Sequence, residues 1–181
     1  MKSMDFIPRI LTRNNIELAI SDYKKKLKEI PLTIEAYDLL GLMNILKRQK
    51  IGKGPYPNVT IFESANRIMT DLVLLNGVKM LFSGVIKEIN FSEYNVEYGN
   101  ENNNEHDITA TENGKKLKCE VFNVAESFFQ TKKAKSLKKL REYKKDEDIL
   151  LIMFNKDAAP EKYNPKRIEN EYYLLVDIEE I

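Results

Sequence analysis

The chain has one cysteine and one histidine in 181 residues. A single cysteine excludes an internal disulfide, and with a single histidine there is no Cys/His cluster to hold structural zinc. No apolar run approaches the ~20 residues of a membrane span, and the amino terminus, Met1-Lys2-Ser3-Met4-Asp5-Phe6-Ile7-Pro8, lacks a signal peptide's uninterrupted apolar stretch. The expectation is a soluble protein of a reducing cytoplasm, with no membrane partner. Excess charge of one sign is also missing, since 29 Lys and Arg face 28 Asp and Glu for a net charge of +1. The basic residues fall in blocks, so this total neither requires nor excludes a nucleic-acid partner. The 43% hydrophobic content is enough for one well-packed domain.

Periodicity organises that domain. Residues 15 to 50 read as two helices separated by Pro31, the first carrying Ile16, Leu18, Ile20, Tyr23 and Leu27, the second running from Ile34 to Leu46. The turn-rich Gly52-Lys53-Gly54-Pro55-Tyr56-Pro57 marks a boundary, giving a helical arm over 1–54 and a core over 55–181. Thr60-x-x-Glu63 opens a helix to about Leu75, which Asn76-Gly77 ends or bends. Alternation predicts strands over Val85–Phe91 and Tyr94–Tyr98. Ser127-x-x-Gln130 starts a lysine-rich helix to about Lys145, Asp148–Phe154 reads as a strand buried on both faces, and Tyr172–Ile178 as a last strand. The fold class is α+β with an α/β-like core, a mixed central sheet flanked by helices.

Between these elements lies the most specific local signal. Asn113-Gly114 sits between two alternating runs, the strongest short hairpin signature. With those two residues as the loop, Glu112 pairs with Lys115, and counting back pairs Ile108 with Cys119 and Asp107 with Glu120. Directly opposed side chains lie about 4.5–5.5 Å apart at Cβ, and like charges placed there repel. A shared proton, a lysine or a hard divalent cation would each offset that repulsion; Mg²⁺ commonly takes one or two carboxylates and leaves its other positions to water and phosphate. Both acids on a solvated strand face, with Lys118 as counter-charge, is equally compatible with the hairpin alone.

The helix that follows adds a cation. Projected at about 100° per residue from Phe129, Leu140 falls at about 20°, Leu137 at about 80°, Tyr143 at about 320° and Lys133 at about 40°. Lys133 is thus centred on the apolar stripe, where it either meets a negative partner or snorkels to water. Lys132, Lys135, Lys138, Lys139, Arg141 and Lys145 lie off the stripe, solvated or available to phosphates.

These pieces resemble the PD-(D/E)xK nuclease superfamily, especially small type II restriction endonucleases. The match covers roughly residues 60 to 155: a helix with an acid (Glu63), an Asp on the first hairpin strand (Asp107), a Glu on its partner (Glu120), then a helix and a buried strand. His106 stands at the motif's proline position, and Phe122 stands where the motif has its lysine. The resemblance implies Mg²⁺ held by Asp107, Glu120 and the carbonyl of Val121. Its ammonium would come from Lys133, as in members that use the following helix, or from Lys118 on the strand face of Glu120. Glu63 would hold a second ion or a metal-bound water, although capping already explains it; Asp71 is a weaker candidate on the same helix. Lys132 and Lys135 would contact double-stranded DNA, His106 would touch phosphate or be a plain surface residue, and Asn123 would contact DNA or help cap the next helix. Asn100, Asn102, Asn103 and Asn104 have the amides that pair with adenine edges, although Asn-rich loops are common without that role. A homodimer through the amino-terminal helices would cut a palindrome symmetrically. A repair or mobile-element nuclease fits the same residues, and the missing lysine at 122 leaves room for a catalytically inactive binding or regulatory protein.

Overall fold

The computed structural model describes residues 7–99, 104–142, 144–145 and 147–178. In chain order the elements are β1 (Ile10–Thr12), α1 (Ile16–Lys28), α2 (Leu39–Arg48), α3 (Ile61–Phe82), β2 (Glu93–Val96), β3 (Ile108–Glu112), β4 (Lys115–Phe122), α4 (Glu126–Glu142), β5 (Asp148–Asn155) and β6 (Glu171–Val176). The strands form one mixed sheet in their sequence order, with β1 to β4 antiparallel neighbours and β4, β5 and β6 parallel. A parallel neighbour needs a crossover, and α4 supplies it between β4 and β5. None of the described helices is long and apolar enough to cross a membrane.

The β3–β4 hairpin has the expected register, Glu112 with Lys115 through Ile108 with Cys119. Asn113 and Gly114 both take positive φ, 51° and 79°, the conformation a two-residue turn between right-twisted strands demands. Alternation then gives each side of the sheet its own core. Leu117, Cys119 and Val121 of β4 join Ile149, Leu151 and Met153 of β5 beneath α3. Phe122, Leu150, Ile152 and Phe154 face Phe129 and Leu140 of α4 on the other side.

Five expectations are corrected. The chain up to residue 54 is not a separate arm: β1 pairs with β2, and α1 buries Ile16, Ala19, Ile20 and Tyr23 in the α3-side core. Only α2 stands out, with no buried residue and with Leu39 and Leu40 each 72% exposed. Its start moves to Leu39 because the Asp38 side chain caps it through Gly41 N–H at 2.6 Å. α3 runs through Asn76-Gly77 to Phe82, since a Cβ on Gly77 would stand 2.5 Å from Met153 Sδ; this glycine permits close helix–sheet approach. Residues 85–91 form no strand, and their apolar side chains Ile89 and Phe91 are buried from a loop. α4 begins at Glu126, so Ser127 lies inside its first turn and is not its cap.

Candidate functional site

The register that closes the hairpin also aligns the acids. Val96 pairs with Ile108 and Ile108 with Cys119, so the next row carries Glu97, Asp107 and Glu120, and Glu97 N–H continues the ladder to the Asp107 carbonyl at 2.8 Å. Side chains in one row share a face, here the face away from α3. Sequence patterning missed Glu97, whose carboxylate accepts the Asn104 amide; the signal was its place two residues beyond Asn95, on the same strand face.

Asp107 and Glu120 are held differently. Asp107 Oδ2 accepts the Val121 N–H at 2.7 Å. Glu120 is 7% exposed, and its Oε1 receives the Lys139 ammonium at 2.7 Å and His106 Nδ1 at 2.9 Å, a contact in which the imidazole carries its proton on Nδ1. Burial first, and the neighbouring Glu120 second, push Asp107 up to about 6, against the opposing pull of Val121 N–H, Lys139 and Lys132. Each carboxylate keeps one oxygen with no hydrogen-bond donor among the described residues. The pair is therefore short of positive charge.

The ammonium at this pair comes from Lys139, not from Lys133 or Lys118. Lys133 sits with its Nζ 5.3 Å from the ring centroids of both Phe129 and Tyr163, so aromatic faces receive it on the apolar stripe. Lys118 is buried in an ion pair with Asp148 at 2.7 Å. Lys132 lines the cavity beside Asp107 and Lys135 is exposed. His106, expected as a surface DNA contact, is 3% exposed and turned onto Glu120.

Glu63 is capped as expected by Thr60 and pairs with Arg67 at 2.5 Å. Asp71 is an unsuitable ligand because both oxygens are occupied: Oδ2 accepts from Tyr23 at 2.6 Å and from Tyr56, and Oδ1 from Gly99 N–H at 3.1 Å. Burial nevertheless pushes it up to about 7, despite those donors. Asn123 lines the cavity, while the Asn155 side chain, not Asn123, ties down both polar groups of Val124 before α4. Asn100, Asn102 and Asn103 lie outside the described residues.

In front of Asp107 opens a cavity of about 620 Å³, walled by the first turns of α3, the end of β4 and the start of α4. An oxygen-only donor set of two carboxylates and the Val121 carbonyl suits a hard divalent cation that keeps several waters. The fit rests on the chemistry of this donor set, two carboxylates in one row of the sheet whose mutual repulsion a dication would offset. Among the described residues no three His, Cys, Asp or Glu side chains form a group that could hold a metal ion, so the side-chain ligands would be Asp107 and Glu120 alone.

Comparison with protein-family models, with curated protein sequences and with solved structures gives no match.

Proposed function

We propose that this chain is a Mg²⁺-dependent endonuclease that hydrolyses DNA phosphodiester bonds, with Asp107 and Glu120 holding the ion. The observation that carries the proposal is the side-by-side pair with a lysine from the following helix at 2.7 Å. The succession α3, β3–β4 hairpin, α4 and buried parallel β5 supports it, with one further antiparallel strand, β2, between α3 and the hairpin.

When bound, the ion supplies charge stabilisation at the scissile phosphate and acidifies water. The protein's own groups do the rest. Asp107 is oriented by the Val121 amide, and Glu120 by His106 and Lys139. Lys139, 48% exposed along its side chain, can swing from Glu120 toward a phosphate and offset the negative charge that builds there. Lys132 adds a second cation at the cavity.

A type II restriction enzyme working as a homodimer on double-stranded DNA is the finer form of this proposal; α2 is the amino-terminal helix left exposed for such a contact. A repair or mobile-element nuclease would use the same residues. Phe122 at the motif's lysine position favours a second reading, an inactive nuclease-like binding protein. The test is cleavage of plasmid and of labelled oligonucleotides in Mg²⁺ by wild type, Asp107→Ala, Glu120→Ala and Lys139→Met. Cutting by wild type alone supports the enzyme; no cutting of any DNA by wild type favours the binding protein.

A further inference from the structure

We propose that the cavity beside Asp107 takes an unpaired nucleotide, which makes the substrate a single-stranded or displaced DNA strand and not an intact duplex. The inference rests on the nuclease proposal above and deepens it by naming the form of the substrate, which selects the repair or mobile-element form of that proposal over a restriction enzyme cutting intact duplex.

Asp107 and Val121 lie within a concavity of about 620 Å³, inside the range of about 300–1,000 Å³ of pockets that enclose small ligands. Enzymes that must bring one nucleotide into a recessed site take it out of the stack.

Phe62, from the first turn of α3, and Phe128, from the first turn of α4, both line the cavity and are 45% and 65% exposed. Scattered exposed phenylalanines need no explanation, but two that line the same cavity as Asp107 do. A base paired inside a duplex offers them no face, whereas an unpaired base stacks on them.

Cations accompany the rings. Lys47 Nζ stands 3.4 Å from the Phe62 centroid, and Lys132 Nζ stands 5.9 Å from the centroid of Phe122 in the cavity wall. Phe122 itself is buried, so on the α4 side the exposed ring is Phe128, which lines the cavity together with Lys132. Each side thus sets an exposed ring and a cation on the same cavity, the combination that binds single strands. Of the acids in the wall, Glu63 is paired with Arg67 and Asp71 is occupied by its tyrosines. The negative charge that a strand meets is therefore chiefly that of the row holding Asp107.

Binding is measured apart from metal and cutting. In EDTA, with Asp107→Asn as the background so that the floor is less negative, a short fluorescein-labelled strand is compared with the same strand annealed to its complement, by anisotropy. The single strand should bind at least about ten-fold more tightly, and adding Phe62→Ala or Phe128→Ala should weaken it by about ten-fold while leaving duplex binding unchanged. Both rings are exposed, and thermal melts verify that the variants stay folded. Equal affinity for the two forms, or phenylalanine variants that bind like the background, overturns the inference. If wild type cuts duplex in Mg²⁺ without strand preference or phenylalanine effect, the nuclease proposal stands and this inference falls. If preference and phenylalanine effects appear but nothing is cut, the unpaired-strand site stands and the nuclease proposal falls.

Discussion

Replacing Asp107 by asparagine should make the metal-free protein more stable near neutral pH while removing its metal site. Burial and Glu120 raise this carboxyl from 3.8 to about 6. At ~1.36 kcal/mol per pH unit, ionised Asp107 costs the fold about 3 kcal/mol. Because the folded-state value is the higher one, the cost is absent below pH 3.8, grows through the interval and is complete above about 6. Asparagine can still accept the Val121 N–H, and the charge assistance that a carboxylate gives this bond is already contained in the value of about 6. The net gain is therefore about 3 kcal/mol at alkaline pH, or roughly 6–12 °C in Tm for a chain of this size. Melts followed by circular dichroism in EDTA should show Asp107→Asn above wild type at about pH 8 and level with it at about pH 4. A variant that melts below wild type at the higher pH, or by the same margin at both, would refute the electrostatic account of the pair.

Lys139→Met should lower the cleavage rate by about 100-fold and cost the fold about 1 kcal/mol, because the nearly buried Glu120 loses its ammonium and keeps only His106; unchanged cleavage rates in single-turnover assays would remove Lys139 from the mechanism. Lys118→Met strips the buried Asp148 of its ammonium and should destabilise the fold by about 3 kcal/mol in urea titrations. Gly99→Ala combines a φ of +64° with a Cβ 2.1 Å from the Tyr56 ring, so a loss of roughly 1–3 kcal/mol is expected, read from the same titrations.

What the sequence made legible was local. The Asn113-Gly114 turn and period-two alternation determine the hairpin register, because a one-residue slip would turn Leu117 and Cys119 out of the core. Three-residue β1 carries too few side chains to show a period, and its strand character comes from pairing with β2, far along the chain. At Gly77 the sequence shows a helix breaker, while Met153, from a distant strand, decides that only glycine fits.

The lysine illustrates the same limit within the site. A helical projection ranks side chains by distance from the apolar stripe, which is how Lys133 came forward; it does not say which flank leans toward β3. In the structure the Lys132 and Lys139 flank does so, seven residues apart and thus on one side of the helix, at about 300° and 280° in the Phe129 frame. Lys133 instead meets Tyr163, a residue beyond β5 that the helix alone could not foretell. Glu97 went unnoticed because its neighbour across the ladder is separated from it by a turn-rich segment of unspecified register.

The central claim is that Asp107 and Glu120 jointly bind one divalent cation. Calorimetric titration of Mn²⁺ into wild type, Asp107→Ala and Glu120→Ala at about pH 7.5 tests it most directly. The account predicts a single site in wild type that disappears in both variants; no heat of binding in wild type, or a site that survives either substitution, would contradict it.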